Sequence, residues 1–442
     1  MELGKHLGMG IWGLADKALP VVYGLGFVLL VIRVLPEQEF GNFVLIQEIF
    51  LVITGLGTAI ALQPLLKYAS EEGRDVSMVL TPALLVNIAF LALSSLLVVA
   101  LRIPLGQILK SPLLPPLLAW VPVMLFASLA RNVALILLQA RFEIQRVFWV
   151  DSLHFLGAPI LVWVLSRLHL FDTALDLIVV NVISLSLSSV AGVLFTKSML
   201  HFTLRGWGKE ARDIWDYGKY SLGGVATYLV YTKADSFILA AAAGPLLVAV
   251  YNAAKVFTRV FEMVTQIVQM FVLPMTSLLS SRRESASLHA LVEKAITFTT
   301  IGMVPVFLLF LLAPSLFISV LYGGRYGEAI PILQIFSCLA LVVPLMSVGS
   351  NVLLGMGEAR ANFILGVQML VICLAGYLFL IPPLAGVGAA LAYVLATVVV
   401  AVTTLITLKR FFPLTLRGLA RRERDIRVFV RSRLRRNTRT QP

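Results

Sequence analysis

The stretch DSFILAAAAGPLLVAVYNAAKVFTRVFEMVTQIVQ, Asp235 to Gln269, decides the fold. One apolar run ends at Gly244 and Pro245, a pair that turns a chain, and a second run of membrane length starts at once. Inside the second run stand Asn252, Lys255, Arg259, Glu262, Gln266 and Gln269, spaced 3, 4, 3, 4 and 3. That spacing puts all six on one face of a helix. A charge at the bilayer centre costs about 2.5 to 3.5 kcal/mol, so the three charges here would together cost roughly 8 to 10 kcal/mol facing lipid. The stripe is therefore expected to face protein or a water-filled cavity.

Two readings of these charges compete. In the first they pair internally. Asp235 lies ten residues before Pro245 and Lys255 ten after, so both sit at one depth and a bridge between them is expected, while Glu262 stands one turn beyond Arg259. In the second, Lys255 and Arg259 repel each other at i, i+4 unless an anion sits between them. Lys233 adds a third cation close by, and Lys17 and Arg131 add positive charge nearer the inner side. This reading expects a cationic cavity lined by Lys17, Arg131, Lys233, Lys255 and Arg259, with the amides of Asn252, Gln266 and Gln269 as neutral partners. Intramembrane carboxylates also mark ion paths, which makes Glu48, Asp235 and Glu262 candidates for coupling to H+ or Na+. Asp151 falls near an expected helix end and reads as a cap.

Outward from this stretch the pattern repeats. Of the 442 residues 59% are hydrophobic and 13% charged, and mean hydropathy is +0.93. Such a composition belongs to an integral membrane protein. Apolar segments fall near residues 12–34, 40–66, 76–101, 115–140, 147–168, 174–197, 215–241, 246–273, 293–313, 327–350, 360–382 and 386–408. Each is long enough for a helix to cross a hydrocarbon core of about 30 Å, and the alternation of a strand barrel is missing. The expectation is an all-α protein of about twelve transmembrane helices. The first segment carries Asp16 and Lys17 and lacks a small-residue cleavage site, so it is expected to stay as an anchor. Cys338 and Cys373 both fall inside segments and read as packing residues.

With an inner N-terminus, fourteen Lys and Arg precede the tail on the inner side against five on the outer: Arg33, Arg102, Lys110, Arg167 and Arg325. Both termini are therefore expected in the cytoplasm. The segments divide into a first six-helix half (1–200), a basic linker (201–214), a second six-helix half (215–408) and a tail (409–442). Most of the net charge of +13 lies in that tail. Attraction to anionic lipids of the inner leaflet accounts for it without a nucleic-acid partner.

Two six-helix halves suit an alternating-access transporter with its path between them. Catalytic and nucleotide signatures are missing: there is no GxxxxGK[ST], HExxH or GxSxG, and the five histidines are dispersed. The sequence therefore reads as neither an enzyme nor a metalloprotein, and no cofactor is expected.

Several segments carry a resemblance: LPEQEFGNF before the second helix, LLQARFEIQRVFWV at the exit of the fourth, and above all the stretch from Asp216 to Phe257 with Gly218, Asp235, Gly244, Pro245, Tyr251 and Ala254. LYGGRYGEAIPIL, LLGMGEARANF and LAGVGAALAYVLA also fit. In these the chain resembles the Wzx-type flippases of O-antigen and exopolysaccharide, within the multidrug/oligosaccharidyl-lipid/polysaccharide (MOP) superfamily. It departs from them at Ala249 and Val250, where that family often has Gly. The resemblance implies transfer of a polyprenyl-diphosphate-linked glycan across the inner membrane of a prokaryote. It also implies glycosyltransferases or a glycan polymerase as neighbours in the pathway. Lys255 and Arg259 would then meet diphosphate or acidic sugar, Lys17 and Arg131 would be inner-facing contacts, and Asn252, Gln266 and Gln269 would meet sugar hydroxyls. A cation-coupled multidrug exporter of the same superfamily is the competing expectation.

Overall fold

The computed structural model describes residues 12–13, 15–20, 22–71, 73–203 and 207–413; most of the basic tail, and Arg205 of the linker, lie outside them. The described residues hold helices and no strand. The first expected segment is helical in pieces, with a π turn at Tyr23–Phe27 ahead of α1 (Val28–Val34). Then come α2 (Glu37–Ala69), α3 (Val76–Ala100), α4 (Leu114–Ala140), α5 (Ile144–Arg167) and α6 (Ala174–Thr196). The chain continues with α7 (Trp207–Ala243), α8 (Pro245–Ser281), α9 (Ser285–Leu312), α10 (Ala329–Gly355) and α11 (Ala359–Leu408). Among the described residues eight helices are long and apolar enough to cross a membrane, or nine if the pair forming α10, bent by 43° near Cys338, is one span. The 50 residues of α11 turn at Ala385 (φ 47°, ψ −125°), between the eleventh and twelfth expected segments. At 1.5 Å per residue its length is about 75 Å, more than twice a hydrocarbon core of about 30 Å.

Local chemistry sets the ends. Asp75 caps α3 by accepting a hydrogen bond from the Ser77 amide (2.9 Å), and Thr173 with Asp176 forms a capping box on α6. Gly244 adopts φ 83°, which a side chain resists, and Pro245 at the first position of α8 needs no amide partner. Gly41 on α2 is required for a different reason. A Cβ there would stand 1.9 Å from the Pro245 carbonyl oxygen, so only glycine lets α2 approach the start of α8.

The chain forms two compact units, Met1–Val256 with Leu321–Gly323, and Phe257–Val320 with Gly324–Pro442. In the first, Leu62, Leu65, Leu80, Val133, Leu137, Val150 and Ile214 belong to one buried apolar cluster. In the second, Phe257, Phe261, Phe310 and Phe317 form an edge-to-face aromatic group. Apolar side chains such as Leu93, Leu96, Leu312 and Phe379 are more than two-thirds exposed, as lipid contact requires of a membrane helix. The boundary between the units falls inside α8, where Val256–Thr258 is a 3-10 turn between α-helical Pro245–Lys255 and Arg259–Ser281.

Candidate functional site

The polar stripe of α8 is divided by that 3-10 turn, whose three residues per turn break the register of an α-helix. Asn252 and Lys255 belong to the first unit. Arg259, Glu262, Gln266 and Gln269 belong to the second, where Arg259 is half-buried and the other three are exposed.

In the first unit Lys255 Nζ lies 2.6 Å from Asp235 Oδ2, the bridge that equal spacing about Pro245 implies. Asp235 is 1% exposed, and its burial is compensated. Oδ2 also accepts from the Tyr251 hydroxyl (2.7 Å) and Oδ1 from the Ser236 amide (2.7 Å). Lys255 donates as well to the Thr232 carbonyl (2.9 Å), while its side chain remains 23% exposed. Asn252 donates to the Val248 carbonyl (3.0 Å) and, at 3.4 Å, to Ser236 Oγ.

A second lysine repeats the arrangement. Lys233 Nζ on α7 lies 2.6 Å from Glu48 Oε2 on α2; the Lys233 side chain is 21% exposed and that of Glu48 9%. This changes the charge expected here: each lysine has its own carboxylate, and the ammonium is the more open member of each pair. Both units of the pattern are a buried acid behind a partly accessible cation.

Arg131 meets a carboxylate that sequence reasoning set aside. Its Nη2 donates to Asp151 Oδ1, its Nη1 to Asn132 Oδ1 (3.2 Å), and its guanidinium lies 5.5 Å from the centre of the Phe155 ring. Asp151 stands two turns inside α5 because that helix starts at Ile144, before the expected boundary at 147. Lys17 is exposed and sits 3.9 Å from the buried Asp16. Nearby elements add neutral pairs: His154 Nδ1 to Ser184 Oγ (3.0 Å) and the Tyr23 hydroxyl to Asn181 Oδ1 (3.2 Å). The spacing of Asp151 and His154, three apart on one helix face, was the available signal for this polar group.

At the far end of α2 a cavity of about 600 Å³ is lined by Lys67, Tyr68, Asp216, Tyr217, Tyr220 and Ser221, and the Lys67 ammonium lies 4.6 and 4.8 Å from the Tyr68 and Tyr217 ring centres. Arg74 braces its rim, donating to Glu71 (3.0 Å), Glu210 (2.5 Å) and Asp213 (2.7 Å) and lying 4.2 Å from the Tyr68 ring centre. Burial works against the Arg74 charge, but these bonds outweigh it and hold its pKa above the ordinary value. Tyrosine rings and hydroxyls beside a cation offer both stacking faces and hydrogen-bond partners to a polar headgroup. No group of three or more metal-ligating side chains occurs among the described residues.

Comparison with known proteins bears on the fold and the family. The lipid II flippase MurJ, in an inward closed conformation, matches with a TM-score of 0.74 at 14% identity, over 94% of this chain and 89% of its own. An inward-facing multidrug resistance MATE family transporter of the MOP superfamily matches with a TM-score of 0.69 at 16% identity, over 90% of this chain and 98% of its own. At such identities the likeness is one of fold. The uncharacterized membrane protein MJ1068 of Methanocaldococcus jannaschii is 28% identical over 155 residues, 35% of this chain, and that match spans 31% of the relative's own length. The profile of the family described as polysaccharide biosynthesis protein matches residues 30–331. A multi-pass helical membrane protein with the fold of the MOP superfamily, this chain belongs to the polysaccharide biosynthesis protein family.

Proposed function

We propose that the protein moves a polyprenyl-diphosphate-linked oligosaccharide from the cytoplasmic to the outer leaflet of a prokaryotic inner membrane, by alternating access. The observation that carries this reading is the pair of intramembrane lysines, Lys233 and Lys255, each partly open and each backed by a buried carboxylate. A diphosphate entering beside them meets ammonium groups that are already charged and partly open, and by sharing each with its carboxylate it leaves no buried acid unpaired, which would be costly. Tyr68, Tyr217 and Tyr220 suit the sugar end of the headgroup, and the prenyl chain stays in lipid. In this reading Arg259, Asn252, Gln266 and Gln269 are further headgroup contacts, and Lys17 and Arg131 are inner-facing ones. Arg131 with Asp151, and the acids Glu48, Asp235 and Glu262, are the groups through which H+ or Na+ would couple. The basic tail would hold anionic lipids, and glycosyltransferases and a glycan polymerase would supply and consume the cargo.

Deleting the gene and following its lipid-linked glycan tests the proposal. The expected result is accumulation of that intermediate in the inner leaflet, reversed by the parental chain; normal turnover overturns it. A second reading, a cation-coupled multidrug exporter, draws support from the MATE-type fold likeness. It expects the opposite phenotype, altered drug sensitivity with surface glycan intact.

A further inference from the structure

At the end of α2 opposite Lys67, the first unit holds a second open cavity, of about 750 Å³. Gly26, Leu30, Arg33, Val34, Trp163, Ser166, Arg167, His169 and Leu321 line it, and no carboxylate does among the described residues. Its volume falls within the range of about 300 to 1,000 Å³ usual for small-ligand sites. By the loop-charge count this is the outer side of the membrane.

Two arginines line it from different helices. Arg33 stands in the last turn of α1 and Arg167 in the last turn of α5. Each arginine there also complements the dipole of its own helix. Arg33 is anchored through Nε, which donates to the Leu321 carbonyl (2.7 Å), and Arg167 lies 5.7 Å from the centre of the Trp163 ring. Ser166 and His169 bring further hydrogen-bonding groups, and His169 is held at φ 54° just past the helix end. Leu30, Val34 and Leu321 make the remaining wall apolar.

We propose that this cavity binds a phosphate or diphosphate group carried on a lipid chain at the outer membrane interface. Guanidinium pairs match phosphate oxygens in geometry and charge, and the apolar wall takes the first part of the chain. The existence of the site is independent of the flippase reading; its role as the release point for a lipid-linked headgroup rests on that reading.

A photoreactive farnesyl diphosphate, added to the full chain in neutral detergent, is the probe. We expect crosslinks on the peptides that contain Leu30–Val34 and Trp163–His169. The yield is expected to fall about tenfold or more in Arg167→Gln and in Arg33→Gln, as loss of a charged hydrogen bond implies. It should hold in Arg102→Gln, the same charge change outside the cavity. Because Arg33 also makes a backbone bond, Arg167→Gln carries the decision. Competition by excess inorganic diphosphate supports recognition through phosphate alone, and competition by phosphatidylglycerol vesicles supports a bilayer lipid as occupant. Failure of both to compete shows that the prenyl chain alone is recognised and overturns the proposal, as does absence of label from both of these peptides or labelling unchanged in Arg167→Gln. Unlabelled protein that still exports glycan sinks this site alone; labelled protein with no role in glycan export sinks the flippase reading alone.

Discussion

Asp235 and Lys255 form a buried pair whose contribution to stability can be separated from the transport role proposed for it. Removing one partner of a buried ion pair costs about 3 to 5 kcal/mol. Lys255 is 23% exposed and Asp235 keeps its bonds from Tyr251 and Ser236, so Lys255→Ala is expected to cost less, about 1 to 3 kcal/mol. Thermal unfolding in detergent measures this. The double replacement Lys255→Met with Asp235→Asn removes both charges and leaves Tyr251 a partner, so stability should return to within about 1 kcal/mol of the parent. Export should stay lost, because the ammonium proposed to meet the headgroup is gone. A double variant that exports at the parental rate would make Lys255 a structural residue only. This bridge was legible because the two residues flank one tight turn at equal distances. Lys233 with Glu48 was not: the partners lie on α7 and α2, and periodicity orders residues within a helix without saying which remote helix lies opposite.

Helices are held at their ends and at their closest approaches, and two changes probe those points. Gly41→Ala places a Cβ against the Pro245 carbonyl, so α2 and the start of α8 must separate. Overpacking of this kind costs about 1 to 3 kcal/mol or more, and a lower yield of folded protein on size-exclusion is the expected readout. Gly223→Ala, in a helix with nothing near its added Cβ, should be harmless or slightly stabilising by the same assay. At the start of α3 the cap makes stability pH-dependent. The Asp75 carboxyl is held below its ordinary pKa by hydrogen bonds from Ser77, first through the side chain and then through the backbone. A carboxyl with a lowered folded pKa contributes stability above its unfolded pKa and loses it as pH falls through the folded one. Asp75→Ala should therefore lower the unfolding temperature at neutral pH, and the gap from the parent should close in acid below the ordinary Asp range. A gap that persists there would remove the cap from the account. Most helix positions were readable from apolar run length, and Gly244 with Pro245 marked a turn plainly. The 3-10 turn at Val256–Thr258 was not readable, since Val, Phe and Thr carry no breaker signal and the stripe runs through them in unbroken helical spacing.

At the scale of the whole molecule the open quantity is the number of crossings, and α11 tests it. A single helix of 50 residues is too long for one passage, and its backbone turns at Ala385 beside Pro382 and Pro383. Two passages joined at that turn would return the chain to its starting side. The loop-charge asymmetry, fourteen basic residues against five before the tail, leads us to expect that side in the cytoplasm. Leu384 is then outside, while Glu358 and Arg410, at the two ends of α11, are inside. In a chain with Cys338 and Cys373 replaced by serine, a cysteine at Leu384, itself 44% exposed, should react with an impermeant maleimide on intact cells. Cysteines at Glu358 and Arg410 should react only after the membrane is opened. Labelling of Glu358 and Arg410 on opposite sides would rule out two passages joined at Ala385. It would also move the C-terminal tail, with its basic charge, away from the leaflet whose anionic lipids it is proposed to hold.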